Sequence, residues 1–172
     1  MTVRAMMLLL LLTASGCTGK WQKIEEDYRP LKYVVEQEVW DSEFVVTVGD
    51  SLYVTDLKEW NNNHPQGSVV YRASLLHEQV HSSRQKAKGV TRWIAKYETD
   101  AAFAWAEEQL GWYKELRALA EGGIQVNAEA AAKLLASYRT LSGAIVTYAD
   151  ALVWVQAVLG GNWHPPEEPK KP

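Results

Sequence analysis

The segment from Ser68 to Gly89 reads SVVYRASLLHEQVHSSRQKAKG. It predicts one long helix, from about Ser68 to Lys88, because Gly89 is a good helix terminator. His77 and His81 lie four residues apart within it. Residues with that spacing share one face of a helix, so both imidazole rings can point at the same metal ion.

Glu78 directly follows the first of these histidines. Its side chain leaves the helix about 100° away from that of His77, which suits a base acting on water better than a third ligand. Two neutral ligands beside a carboxylate base are what a zinc hydrolase needs. The simpler alternative is a pair of exposed histidines with a solvated glutamate between them.

A third ligand is expected downstream, because catalytic zinc sites usually have three protein ligands. We predict a second helix from about Thr91 to Glu121, ended by Gly122 and Gly123. Glu98 lies in the middle of its apolar stripe, where a buried carboxylate needs a partner. Asp100 falls on the more polar side and is the weaker candidate.

A salt bridge offers a second explanation for a carboxylate at position 98. In that case Glu98 would pair with a basic residue of the first helix, such as Arg84 or Lys88. We favour the metal, because a buried carboxylate needs a partner and a metal ion supplies one.

Three segments together resemble a known group, the gluzincin-type zinc metallopeptidases. They are FVVTVGDSLYVTD, LLHEQVHSSRQ and YETDA, within residues 44–108. The resemblance is closest to small bacterial and phage metallopeptidase-like domains. It implies that His77, His81 and Glu98 bind one Zn²⁺, that Glu78 is the general base, and that the reaction is hydrolysis of a peptide bond by zinc-activated water.

Hydrolysis also needs a donor for the developing oxyanion. The candidates are Tyr97, Arg92, Tyr113, Tyr148 and His64, and the sequence does not choose among them. By the same resemblance, the strand that ends near Thr55 would pair with an extended peptide or protein substrate.

The first residues, MTVRAMMLLLLLTASGC, have the composition of a secretory signal. One positive charge precedes a short apolar run, and small residues precede Cys17, as in the lipobox of bacterial lipoproteins. We predict a signal peptide over residues 1–16, a lipidated Cys17, and a location in the bacterial cell envelope facing the periplasm or exterior. The alternative is a plain signal peptide with an incidental cysteine.

We predict an α+β, mostly helical fold, in which a β-hairpin packs on the active-site helix and further helices follow. The tether covers residues 17–30, the zincin-like domain residues 31–161, and a disordered tail residues 162–172. Within the domain we expect a short helix over Leu31–Val39, hairpin strands at Val45–Thr47 and Leu52–Thr55, a loop over residues 58–68, and a helical region from Asn127 to Gly160 that breaks near Ser142–Gly143. The apolar run from Ala144 to Leu159 is expected to be a core helix, with a stripe at Ile145, Tyr148, Leu152, Val155 and Leu159.

The composition and the pI limit the classes of function that the chain can have. A pI near 5.8 argues against nucleic-acid binding. The leading hypothesis is a membrane-anchored extracytoplasmic zinc metallopeptidase. The alternatives are a non-catalytic envelope lipoprotein with a structural or degenerate metal site, acting as a binding module, and a metal-free helical lipoprotein.

Overall fold

The computed structural model describes residues 20–37 and 45–166. The fold is α+β and mostly helical, as predicted. The strands are β1 (Trp21–Lys23), β2 (Tyr33–Glu36), β3 (Val45–Val48), β4 (Ser51–Val54), β5 (Arg139–Thr140) and β6 (Gly143–Ala144). The helices are α1 (Leu57–Asn63), α2 (Val69–Lys88), α3 (Val90–Thr99), α4 (Ala101–Glu121), α5 (Ala128–Ser137) and α6 (Tyr148–Leu159), and a short 3-10 helix covers Glu26–Tyr28.

The four-stranded sheet has the order β1-β2-β4-β3. β2 and β4 are parallel, whereas the other two pairs are antiparallel. The predicted hairpin is confirmed as β3 and β4, joined through Gly49, whose φ of 63° favours glycine. β4, the strand near Thr55, has a neighbour on each side, so its expected role in pairing with a peptide is wrong. Among the described strands, β3 lies at that edge instead.

The first part of the chain differs from the prediction. The expected helix over Leu31–Val39 is wrong in its described part, where Tyr33–Glu36 form β2. Buried Val34 follows exposed Tyr33, and this alternation with β-branched residues suits a strand. The predicted tether also contains β1, and its Ile24 and Tyr28 are buried in the core. The signal peptide, Cys17, and residues 38–39 lie outside the described residues.

The predicted helix over residues 91–121 is two helices, α3 and α4. Asp100 separates them with an extended backbone, at φ −132° and ψ 96°. Its carboxylate accepts a hydrogen bond from the Phe103 backbone N–H and so caps α4. Glu98 therefore lies at the end of one helix, and residues beyond Asp100 follow a different helix direction.

The buried apolar residues form two cores, one with side chains of α2 and the other with side chains of α4. The first core contains Ile24, Tyr28, Leu31, Val34, Leu52, Val54, Trp60, Tyr71 and Leu75. The second contains Trp112, Leu116, Ala131, Ala132, Leu135, Ala151, Trp154, Val155 and Val158. α2 contributes to the first core and α4 to the second, so the contact between these two helices joins the two halves.

The C-terminal part follows the prediction with local differences. Asn127 caps α5, and the expected break is a small hairpin of β5 and β6. The buried face of α6 is Ala151, Trp154, Val155 and Val158, so the predicted stripe is wrong at Tyr148, which is 39% exposed. Trp163, in the predicted disordered tail, packs against Trp154. Residues 167–172 lie outside the described part.

None of the described helices is long and apolar enough to cross a membrane.

The predicted loop over residues 58–68 contains most of α1, whose first turn is capped by the Asp56 carboxylate through the Glu59 backbone N–H.

Candidate metal centre

The two histidines of α2 converge on one point in the buried contact between α2 and α4. Their Nε2 atoms are 2.9 Å apart, and the residues are only 5% and 6% exposed. If both Nε2 atoms carried lone pairs at this distance, the two would repel each other. A proton on one ring, or a cation between the rings, removes that repulsion.

Glu108 of α4 completes a three-residue cluster. Its carboxylate oxygens lie 3.6 Å from the His77 Nε2 and 3.4 Å from the His81 Nε2. One ligand atom from each of His77, His81 and Glu108 lies within 4.8 Å of the others, and all three residues are buried. This cluster could hold a metal ion.

The predicted third ligand, Glu98, is not part of that cluster. It is buried and lines the same cavity, but the structure brings Glu108 to the histidines in its place. The reason is the break at Asp100, which separates the stripe of α3 from the face that α4 turns toward α2. Asp100, the weaker candidate, is used as the helix cap.

Arg84 and Lys88, the alternative partners considered for Glu98, both bind Glu107. The Arg84 guanidinium binds both Glu107 carboxylate oxygens, and the Lys88 Nζ lies 2.7 Å from Oε1. The pKa of Glu107 is lowered, because these two cations outweigh the burial that opposes its charge. The two adjacent glutamates of α4 thus have different partners, basic side chains for one and histidines for the other.

Two further residues of α4 fix the ring of His77. The His77 Nδ1 lies 2.7 Å from Glu115 Oε2, so this nitrogen donates and the Nε2 is directed at the cluster. A Cβ at Gly111 would lie 2.5 Å from the His77 Cδ2, so only glycine leaves room for the ring. Glu108, Gly111 and Glu115 occupy one face of α4 at helical spacing.

Neither Gly111 nor Glu115 was singled out from the sequence. The available signal was the pattern EQLGWYKE over Glu108–Glu115, in which a helical glycine lies between two acids on one face. It becomes informative only when the helix is known to begin at Ala101.

Glu78 lies in the same cavity as the cluster. Its Oε2 accepts a hydrogen bond of 2.7 Å from the Thr47 hydroxyl of β3, and Thr47 is 5% exposed. Gln85 also ties α2 to this strand, because its amide donates to the Thr47 carbonyl and its carbonyl accepts from the Gly49 N–H. The base candidate is thereby held beside the edge of the sheet.

The cavity has a volume of about 100 Å³. It is lined by Val45, Val46, Thr47, His77, Glu78, His81, Gln85, Trp93, Ile94, Tyr97, Glu98, Glu108 and Tyr138. The predicted oxyanion donor Tyr97 is among these residues, and its hydroxyl donates to Glu108 Oε1 at 2.5 Å. Tyr138 is a lining hydroxyl that sequence reasoning missed.

The other predicted donors do not line this cavity. The His64 ring stacks on Trp60, with centroids 3.7 Å apart, and Tyr113 approaches His164 near the end of the described chain. Tyr148 begins α6 and is 39% exposed, and Arg92 is an exposed residue of α3.

The cluster is polarised even without a metal. Burial opposes the charge of His77, but the neighbouring Glu108 and Glu115 carboxylates outweigh it and raise the pKa of His77 well above its ordinary value. Burial lowers the pKa of His81, and the neighbouring His77 adds to this effect. Burial alone would raise the pKa of Glu108, yet the two histidines and the Tyr97 hydroxyl lower it to about 2. In the metal-free protein a proton on His77 therefore supplies the positive charge that the neighbouring carboxylates favour, and a metal ion held here would take the place of that proton.

The donor set fits a divalent metal. Two imidazole nitrogens and one carboxylate oxygen form a ligand set found at catalytic zinc sites. The buried Glu108 Oε2 has no hydrogen-bond partner within the described part of the chain, which leaves this oxygen available to a cation. The Glu115 carboxylate on the far side of His77 corresponds to the outer partner that metal-bound histidines usually have.

Comparisons with known proteins give no relative. No family model matches the chain, and no curated protein and no solved structure is significantly similar to it.

Proposed function

We propose that this protein is a zinc-dependent hydrolase of peptide bonds, secreted and anchored to the bacterial cell envelope by a lipid on Cys17. The observation that carries the proposal is the convergence of His77, His81 and Glu108 on one buried point, with Glu78 in the same cavity. Structural metal sites have no need of a base beside them, whereas hydrolytic sites do.

Each residue of the site would have a separate role in peptide hydrolysis. A zinc ion held by the two histidines and Glu108 would supply Lewis acidity, lowering the pKa of a water and polarising a carbonyl. Glu78 would take a proton from the attacking water and return it to the leaving amine. The Thr47 hydroxyl holds the Glu78 carboxylate in place by donating to the Glu78 Oε2. The Glu78 Oε1 would then reach the water. The Tyr97 hydroxyl, 2.5 Å from Glu108, keeps that ligand in its orientation.

The substrate would lie along β3. This strand ends the described sheet, and its Val45, Val46 and Thr47 line the cavity. An extended peptide can add to such an edge through main-chain hydrogen bonds, with alternate side chains directed toward the cavity. The substrate class is therefore a peptide or an unfolded protein segment.

A non-catalytic binding module with a structural metal site is the second candidate. The cavity of about 100 Å³ favours it, because small-molecule sites usually have several times that volume. All three ligands are also at most 6% exposed, so substrate could reach the metal only if the walls move apart.

Replacing Glu78 separates the two candidates. Glu78→Gln keeps the shape of the side chain but cannot accept a proton, so it should retain zinc and lose hydrolysis of peptides from a mixed library. Glu129→Gln, an exposed site on α5, is the matched control and should retain both. If the zinc-loaded wild type cleaves no peptide, the binding module is favoured. If Glu78→Gln cleaves as well as wild type, Glu78 is not the base.

The lipid anchor has its own test. Cys17→Ser should prevent acylation, and membrane fractionation should then show a strong loss of stable anchoring. Mass spectrometry of the wild type should find the acyl groups on Cys17. An unmodified Cys17 in membrane-associated wild type would contradict the anchor.

A further inference from the structure

The outer face of β1 and β2 lies far along the chain from the metal cluster and exposes aromatic residues. Trp21 is 62% exposed and Tyr33 is 37% exposed. Their rings contact each other edge to face, with centroids 5.3 Å apart. Lys23 pairs with Tyr33 in the sheet and is on the same face as Trp21, because side chains alternate along a strand.

A basic groove adjoins this aromatic pair. It has a volume of about 340 Å³, and its lining includes Lys23, Glu26, Arg29, Lys32, Tyr33 and Lys86. Tyr33 belongs to both the pair and the groove. The face formed by Trp21, Tyr33 and the four cations of the groove is called the basic aromatic face below.

Two of the four cations already have partners. The Arg29 guanidinium lies 2.8 Å from Glu26, and the Lys32 Nζ lies 2.8 Å from Asp50. Lys23 and Lys86 form no ion pair with any residue in the ranges 20–37 and 45–166. Four cations against the two acids Glu26 and Asp50 leave the groove with a local positive excess, although the whole chain has a formal charge of −3.

We propose that the basic aromatic face docks on a membrane surface that contains anionic lipid. Tryptophan and tyrosine favour the headgroup layer, where the ring is in apolar surroundings and the polar end meets water. Lysine and arginine near an anionic bilayer each contribute about fivefold to binding. An apolar protein partner would not need the unpaired cations, whereas anionic headgroups would.

The position of this face in the chain supports the same occupant. Trp21 follows Cys17 by only four residues, and four extended residues reach at most about 14 Å. This step rests on the acylation proposed for Cys17. An acyl chain on that residue would hold Trp21 within about 14 Å of the acylated cysteine, close enough to reach the headgroup layer. Docking would then fix the orientation of the catalytic domain on the membrane, which a flexible tether alone would not do.

Vesicle sedimentation tests the docking without the acyl chain. The mature chain from residue 17, carrying Cys17→Ser, is mixed with vesicles of phosphatidylcholine alone or with added phosphatidylglycerol. It should sediment with the anionic vesicles in about 10 mM salt and be released in about 1 M salt, where screening is strong. Lys23→Glu and Lys86→Glu should each weaken binding at least about fivefold, and Trp21→Ala should weaken it as well.

Matched controls give the test its specificity. Lys133→Glu makes the same change in net charge on exposed α5, and Leu141→Ala removes a side chain that is 59% exposed elsewhere. Both should bind like the parent chain, as should His77→Ala, which probes the metal site alone. Equal losses in Lys133→Glu and Lys23→Glu, or no sedimentation with anionic vesicles, would overturn the proposal and leave the proposed hydrolase untouched.

Discussion

The α2–α4 contact and the α5–α6 contact bury opposite kinds of side chain. Between α5 and α6 the buried residues are apolar, among them Leu135, Trp154 and Val155. Between α2 and α4 they include His77, His81, Glu107 and Glu108, each at most 6% exposed. Buried ionisable groups often stabilise a fold less than apolar side chains of similar size. The α5–α6 contact therefore contributes apolar stability, whereas the centre of the α2–α4 contact holds a polar cluster that could bind a metal ion.

The largest expected effect is a loss of stability from a substitution in the apolar contact between α5 and α6. Leu135→Ala should lower the free energy of unfolding by about 2–5 kcal/mol, because it leaves a cavity in a fully buried position. Urea denaturation measures this loss. Zinc affinity of the folded variant should stay unchanged, since Leu135 is outside the cluster. A parallel loss of zinc affinity would show that the two contacts are not separate in function.

Acid should lower the free energy of unfolding of the metal-free protein by roughly 3 kcal/mol, through the polar α2–α4 contact. The pKa of Glu108 falls from 4.5 to about 2 on folding, so its charge stabilises the folded chain above pH 4.5. That contribution is lost as the pH falls from 4.5 toward 2. For His77, whose pKa is raised, the sign is opposite, and its contribution is lost as the pH rises through the folded value.

The measurement is urea denaturation of metal-free protein across this acid range. Glu108→Gln has no carboxyl group to titrate, so its stability should fall less steeply between pH 4.5 and 2 than that of wild type. Identical slopes in the two proteins would contradict the assignment of this titration to Glu108.

A methyl group placed beside His77 should lower the free energy of unfolding by somewhat less. Gly111→Ala should destabilise the protein by about 1–3 kcal/mol, because the new Cβ would lie 2.5 Å from the ring. It should also weaken zinc binding by displacing the ligand. In a His77→Ala background the same change should be neutral or stabilising, since the ring is gone and alanine favours helix. The same penalty in both backgrounds would show that the ring is not the obstacle.

An effect of similar size is expected for the residue behind His77. Glu115→Ala should weaken zinc binding by about 10–100-fold, because the ring loses the acceptor that fixes its Nδ1–H. Competition with a fluorescent chelator measures the affinity. Glu121→Ala, an exposed glutamate of the same helix, is the control and should bind like wild type. Equal affinities for Glu115→Ala and wild type would remove Glu115 from the site.

The local elements of the fold can be predicted from the sequence. Helix α2 was predicted over about 68–88 and extends over Val69–Lys88, because the terminator Gly89 and the capping Ser68 are signals within the segment itself. The hairpin of β3 and β4 follows from β-branched residues around Gly49 for the same reason. The two histidines of the cluster depend only on spacing within α2, so they too could be predicted.

The third ligand depends on the packing of two helices and could not be predicted in the same way. Helical periodicity predicts that Asp100 is a polar position within one long helix, but its side chain competes for the backbone and caps a new helix. One such break changes which glutamate faces α2, from Glu98 to Glu108. Gly111 was unpredictable for a related reason, since its value depends on a ring from another helix.

The most direct test of the central claim is the zinc affinity of two glutamine variants, with His77→Ala as the reference for an emptied site. The wild type should bind about one zinc ion per chain, measured by elemental analysis after dialysis. Glu108→Gln should lose most of this zinc, as His77→Ala does, whereas Glu98→Gln should keep it. If Glu98→Gln loses the zinc and Glu108→Gln retains it, the cluster of His77, His81 and Glu108 is not the metal site.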